Sequence, residues 1–412
     1  MRALRLTLAP HRAGLALVAG RFRPDLFRGG PGSPLRLVDI PPPARPPGWI
    51  RVRPTLAGIC ASDRKMLHLT GFGTTIMALF GVPRGGLVPG HEVVGTVIEA
   101  GRGARVSEGD RVVLEPTLSC EDKGFPPCPR CVAGDDEACE RIADPGTRTM
   151  GQGFGHNVAY GGGWAEELVA PARRAFRVPD GVDDRAAVLA EPFAIGVHAV
   201  ARNLPHAGTR ALVIGPGPIG LAVVHALRAL APDTHVTVAG VSPFSDALAT
   251  DAGANTLIHG TRRSLIEAAA AATGARVRGN RISGLVLDGG FDTVFDAVGS
   301  PQTIDDAFRM TRARGTVVLV GTSIKQEVDW TLVWVRELTI RGTAYYGTEH
   351  VSTGARLAAG ARRGMALALE IIEDRAPGSL VTHVFGLDEA VEALRTSDAG
   401  PGAQAVKVAF AP

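Results

Sequence analysis

Residues 210–230 read RALVIGPGPIGLAVVHALRAL. A short apolar strand enters a turn holding Gly215, Gly217 and Gly220, and the turn opens directly into an apolar helix. In that context G-x-G-x-x-G is a phosphate-binding turn. The first glycine allows the tight bend, the second lets a pyrophosphate approach the backbone, and the third lets helix and strand pack closely. Free N–H groups and the partial positive charge at the helix N-terminus then face the phosphates. The bland alternative is a glycine-rich loop of purely structural use. Downstream, "HVTVAG", an Ala-rich helix, "DTVFDAVG", another helix and "GTVVLVG" continue the alternation as far as Gly342. Alternating apolar strands and helices predict an α/β unit with a parallel, doubly wound sheet. The Arg-rich segment from Ala275 to Gly290 reads as a surface insertion.

The second strand of such a unit ends at a carboxylate when NAD is the cofactor, because that group binds the ribose hydroxyls. Here it ends at Gly240, followed by Val241 and Ser242. A missing carboxylate removes the repulsion that excludes a 2′-phosphate. Ser242 could donate to that phosphate, and Arg262 or Arg263 could reach it from the next loop. This favours NADP over NAD.

The first half of the chain has a different texture. "WIRVRP", "EVVGTVIEA" and "DRVVLEP" are short strand-like runs bounded by Gly, Pro or Asp, as in a compact, partly open β barrel. The segment from Ser119 to Gly155 is nearly free of strand signals and reads as a projecting lobe. The terminal "AVKVAF" reads as a strand returning to this first domain. With 412 residues, 45% apolar and 21% charged, the chain is long enough for two ordinary domains. The net charge of +3 with dispersed cations implies neither nucleic acid nor an anionic membrane as partner. No apolar run reaches the length of a membrane span, and Arg12, Arg21 and Arg23 interrupt any signal-like segment, so a cytoplasmic location is expected.

In a reducing cytosol, clustered cysteines more often bind metal than form disulfides. Cys120, Cys128, Cys131 and Cys139 read C-x7-C-x2-C-x7-C, and the inner pair turns two thiolates toward one ion. A closed four-sulfur zinc site would pin down a lobe that has little core of its own. The remaining cysteine, Cys60 in "GICASD", precedes His91 and Glu92 in "PGHEVVG", and Glu191 follows in "AEPFAIGVHA". One thiolate, one imidazole and one carboxylate make the donor set of an open zinc site.

Taken together, "GICASD", "GHEVVG", "GDRVV", the cysteine lobe, "GGGWAEELVAP", "AEPFAIGVHA", "GPGPIG" and "FDAVGS" stand in the order found in the zinc-dependent medium-chain dehydrogenase/reductases. The chain resembles that family, the alcohol dehydrogenases and their polyol relatives, over nearly its whole length. The resemblance implies a GroES-like catalytic domain, residues 1–192 and 344–412 with the zinc lobe at 119–155, flanking a Rossmann domain at 193–343. It implies two zinc ions per chain, with Cys60, His91, Glu92 and Glu191 around the catalytic one. The position of Glu191 resembles that of sorbitol, glucose and threonine dehydrogenases. Ser62 matches the hydroxyl that hands on the substrate proton, and Asp63 a supporting carboxylate. Pro218, Ile219, Val298 and Gly321 join Gly215, Gly217, Gly220, Gly240 and Ser242 as cofactor-facing positions.

The activity so implied is hydride transfer between an alcohol, secondary, polyol or sugar-like, and NAD(P), at a zinc-bound substrate oxygen facing the nicotinamide. Relatives are dimers or tetramers. Three features depart from the family. Lys65 stands where the proton-relay histidine is expected, with His68 one helical turn off. Phe125 stands at the usual first structural cysteine position, so Cys120 must reach in from a longer loop. The segment from Arg64 to Val88 is long and is expected to shape the substrate pocket. Lys65 is also the best support for a zinc-bearing lyase, cyclase or epimerase without net redox. A non-catalytic nucleotide-binding protein is the other alternative, against which the intact Cys60, His91 and Glu191 argue.

Overall fold

The computed structural model describes residues 1–7, 33–67, 86–101, 104–144, 153–156, 159–240, 242–280, 284–352 and 354–412. The chain divides into two compact units: Met1–Glu191 with Ile372–Pro412, and Pro192–Ile371.

The first unit opens with the antiparallel pair β1 (Arg2–Leu6) and β2 (Leu35–Asp39). Strand β3 (Trp49–Gly58) follows, then helix α1 (Ala61–Leu67), β4 (Val93–Glu99), β5 (Arg111–Leu114), β6 (Leu168–Pro171) and β7 (Ala175–Arg177). Strands β3, β4 and β5 are the short runs read from the sequence. Alternate residues of β3 turn inward, and Ile50 and Val52 are fully buried, as expected of a sheet packed on one face. Helix α2 (Ala190–Ala201) begins in this unit and continues into the second.

In the second unit strands and helices alternate: β8 (Arg210–Ile214), α3 (Pro218–Leu230), β9 (His235–Ala239), α4 (Pro243–Ala252), β10 (Thr256–Ile258) and α5 (Arg262–Thr273). Two short strands, β11 (Arg276–Asn280) and β12 (Gly284–Asp288), then pair antiparallel, with every residue of β11 exposed. They fall in the Arg-rich segment read as a surface insertion; β11 is on the surface, whereas Leu287 of β12 is buried in the core of the unit. The alternation resumes with β13 (Phe291–Asp296), α6 (Pro301–Met310), β14 (Thr311–Leu319), α7 (Thr331–Val335) and β15 (Thr339–Gly342). The six-stranded sheet runs β10-β9-β8-β13-β14-β15 and all its pairs are parallel. That is the doubly wound dinucleotide-binding order, with β8 central and the glycine turn at its C-terminal end.

The sequence reading ended this unit at residue 343, whereas compact packing carries it to Ile371. The pair β16 (Thr348–Val351) and β17 (Gly360–Arg363) explains the extension. Buried Glu349 of β16 accepts from His198 Nδ1 at 2.6 Å and Arg202 Nε at 3.3 Å, both on α2. Burying that carboxylate demands such partners. The chain then passes through α8 (Gly364–Arg375) back to the first unit. There it adds β18 (Val381–Gly386), α9 (Ala390–Ala399) and β19 (Lys407–Ala411). The seven-stranded sheet runs β18-β19-β3-β4-β5-β7, with β6 also pairing β3. The terminal strand thus pairs with β3, through Ala409 with Gly58 and Phe410 with Ala57.

Candidate metal centres and nucleotide turn

Three strand ends meet at one rim of the seven-stranded sheet. Cys60 lies just past β3, His91 and Glu92 just before β4, and Lys407 opens β19. Antiparallel pairing forces this meeting: Ala57 faces Val93, and the Gly58 amide donates to the Glu92 carbonyl at 2.9 Å. The sulfur of Cys60, an imidazole nitrogen of His91 and a carboxylate oxygen of Glu92 all lie within 4.8 Å of one another. Gly58 makes the approach possible, since a Cβ there would stand 1.9 Å from Glu92 Oε2.

Asp63, buried in the first turn of α1, ties the group together. Its Oδ2 accepts from the Cys60 amide at 3.0 Å, and its Oδ1 lies 3.5 Å from His91 Nδ1. Burial raises the Asp63 carboxyl, but the charge and hydrogen bond of His91 outweigh it and hold it below the usual range. Burial likewise lowers His91, yet Asp63 and Cys60 leave it well above an ordinary histidine.

Two participants were missed in the sequence. Lys407 Nζ donates to both oxygens of Glu92, at 2.7 and 2.5 Å, with both side chains nearly inaccessible. Burial lowers the ammonium, but Glu92, Cys60 and Glu191 overcome it and raise it. Its sequence signal was faint: a lone cation inside "AVKVAF". The second is His156, whose ring stacks on His91 at 5.4 Å between centroids. Burial, followed by the neighbouring His91 charge, lowers it to about 4.

Glu191 is buried in the first turn of α2 and acts on Lys407, but its carboxylate is outside the Cys60, His91 and Glu92 group. Glu92, adjacent in sequence to His91, brings the carboxylate there instead. Ser62 and Lys65 are half-buried on α1, and burial, then Arg64, lowers the Lys65 ammonium. Most of the segment expected to shape the substrate pocket, residues 68–85 with His68, lies outside the described residues.

The second group is all sulfur. Cys120, Cys128, Cys131 and Cys139 bring their Sγ atoms within 4.8 Å of one another, and all are free thiols. Cys120 does reach in, with its Sγ 3.5 Å from that of Cys139. The Cys131 backbone N–H, as the leading influence, lowers the Cys128 thiol to about 6. Around them, buried Arg174 binds Glu115, Asp122 at 3.0 Å and Asp136 at 2.6 Å. Lys123 Nζ donates to the carbonyls of Arg141, Ile142 and Asp144. Four thiols fit a closed tetrahedral zinc, while the mixed donors at the rim fit one that keeps a position open.

In the second unit Gly215 takes φ +90°, and a Cβ on Gly220 would stand 2.0 Å from the Gly215 carbonyl oxygen. A Cβ on Gly217 would meet nothing within 4 Å, so this face is open to a phosphate at the start of α3. Pro218 and Ile219 form the first turn of that helix. Val298 and Gly321 follow β13 and β14, and Val298 Cγ2 lies 2.4 Å from where a Gly215 side chain would stand. The cradle therefore fits a dinucleotide. The arginines expected to serve a 2′-phosphate are engaged elsewhere, Arg262 with Asp305 and Asp306 and Arg263 with Glu267. The Ser242 hydroxyl caps α4 by accepting from the Ser245 amide at 3.3 Å.

Comparison with known proteins agrees with this geometry. Residues 46–180 match the alcohol dehydrogenase GroES-like domain, and residues 218–360 match the zinc-binding dehydrogenase family. The chain is 30% identical to L-idonate 5-dehydrogenase of Vitis vinifera, over 89% of each chain. It is 28% identical to L-threonine 3-dehydrogenase of Edwardsiella ictaluri, over 86% of this chain and 90% of that one. Among solved structures, 2R,3R-butanediol dehydrogenase from Bacillus subtilis superposes with a TM-score of 0.66 at 25% identity, covering 92% of this chain and 96% of that one. The relatives are named as dehydrogenases, and nothing in them supports the lyase alternative. No helix among the described residues is long and apolar enough to cross a membrane. The rim of sulfur, imidazole and carboxylate, the glycine cradle and these likenesses together show that the chain belongs to the zinc-dependent medium-chain dehydrogenase/reductases and is an NAD(P)-dependent alcohol oxidoreductase.

Proposed function

We propose that Cys60 and His91, with a carboxylate from Glu92 or Glu191, hold a zinc ion that serves oxidation of a secondary alcohol to its carbonyl compound, and the reverse. The observation that carries this is the approach of the Cys60, His91 and Glu92 ligand atoms to within 4.8 Å. When bound, the zinc supplies Lewis acidity and the nicotinamide supplies the hydride acceptor. Asp63, with Oδ1 3.5 Å from His91 Nδ1, orients the imidazole. Lys407 holds the Glu92 carboxylate against the rim, so the net charge presented to the ion depends on that pair. Ser62 Oγ takes the proton from the substrate hydroxyl. Lys65, three residues on and on the same face of α1, receives it. Burial and Arg64 favour the neutral amine that this transfer needs.

The substrate class we infer is a secondary alcohol beside a second polar group, such as a polyol or sugar acid. Support comes from relatives named for L-threonine, L-idonate and 2R,3R-butanediol. We further infer a second, structural zinc on Cys120, Cys128, Cys131 and Cys139. Free thiols accord with a cytoplasmic location. A homo-oligomer formed along β15 is supported by the position of that strand at the end of its sheet and by the exposure of Trp330, Trp334 and Val335 nearby.

The test is a panel of secondary alcohols and ketones with NAD(H) and NADP(H), followed by nicotinamide absorbance, beside metal analysis. Two zinc ions per chain and turnover of at least one panel member are expected. Cys60→Ser should lower turnover more than about a hundredfold, remove one zinc and leave nucleotide binding intact. Full activity in that variant refutes the zinc role.

A further inference from the structure

The turn after β9 lacks the carboxylate that a ribose-binding strand end carries, yet a carboxylate stands beside it. Asp246, in the first turn of α4, places Oδ1 2.7 Å from where a Gly240 Cβ would be. A side chain at position 240 would collide with it, and glycine leaves the space in which it sits. The other oxygen, Oδ2, lies 3.2 Å from Nε2 of His259, the residue following β10. Oδ1 is buried and has no hydrogen-bond partner among the described residues. Parallel pairing sets Ile214 opposite Ala239, and the Gly215 amide donates to the Ala239 carbonyl at 3.1 Å. The glycine cradle and Gly240 are thus neighbours at the C-terminal ends of adjacent strands.

We propose that Asp246 replaces in space the strand-end acid that Gly240 lacks, and that it selects NAD over NADP by accepting from the ribose 2′-hydroxyl. The proposal rests on the dinucleotide reading of the cradle. A carboxylate oxygen without a partner needs a donor. A hydroxyl is a donor, whereas a 2′-phosphate is an anion that offers chiefly acceptor oxygens. The Asp246 side chain is 21% exposed, so the carboxylate is not sealed from a ligand. The choice is opposite to the NADP preference read from the strand end alone. It agrees with the engagement of Arg262 and Arg263 by acidic neighbours.

The experiment is equilibrium titration of the purified protein with NADH and with NADPH, read by nicotinamide fluorescence. Wild type should bind NADH at least about tenfold more tightly, the worth of one hydrogen bond to a charged group. Asp246→Asn, nearly the same shape, should lose about tenfold of that preference with little change in melting temperature. Gly240→Asp combined with Asp246→Ser moves the acid back to the strand end and should restore the preference. Tighter binding of NADPH by wild type overturns the proposal without need of any variant. Equal weakening of both nucleotides in Asp246→Asn overturns it too, by making Asp246 merely structural. Failure of both nucleotides to bind wild type overturns instead the dinucleotide reading, and this proposal with it.

Discussion

The two candidate metal groups of the first unit, one of four donors and one of three, are opposite in construction. The lobe group spans Cys120 to Cys139, and its four donors are close in the chain as well as in space. The rim group takes Cys60, His91 and Glu92 from two strand ends and is held by Lys407 from a third, 315 residues away from Glu92. The lobe is uniform in donor and closed. The rim is mixed in donor and carries a buried ion pair. A local cluster of thiolates can be satisfied by one ion and then has no further chemistry to offer. A group assembled by the sheet can leave one direction open, because the sheet and not the ion fixes its members.

That contrast can be attacked from both sides. The largest effect on stability is expected in the lobe. Cys131→Ser would remove one of the four proposed ligands, and zinc binding in small modules is worth about 10 kcal/mol or more. Limited proteolysis should cut between residues 119 and 144 and the melting temperature should fall. A variant as resistant as wild type would mean that Arg174 and Lys123 hold the lobe without metal.

At the rim, Lys407→Met leaves the Glu92 carboxylate buried without its cation, at a cost of about 3–5 kcal/mol. Adding Glu92→Gln should recover most of this loss, since the pair is removed together. Denaturant unfolding of the single and double variants checks it. A double-variant loss equal to the sum of the Lys407→Met and Glu92→Gln losses would show that the two residues act separately.

Asp63→Asn should be gentler. The shape and the Cys60 amide contact are kept, but the charge facing His91 is lost, so zinc affinity at the rim should fall about tenfold while the lobe zinc stays. Chelator competition reads the two ions separately. Equal loss from both sites would break the distinction between them.

Much of this was legible in the chain. The strand, glycine turn and helix at 210–230 predicted the parallel sheet because each element lies within a few residues of the next. The four cysteines were legible for the same reason, though Cys120 broke the usual spacing. Lys407 and His156 were not, because no pattern within a window of sequence joins them to His91. The binding of Glu349 to His198 and Arg202 on α2 was not legible for the same reason.

By itself, the order of residues determined the elements, the nucleotide turn, the thiol lobe and the family. Only the tertiary structure brings Cys60, His91 and Glu92 within 4.8 Å of one another, and sets an aspartate from α4 beside Gly240. The physical reason is range. Propensity, turn chemistry and ligand spacing act over a few residues, whereas the partner of a buried charge is set by strand pairing and helix packing across hundreds of positions.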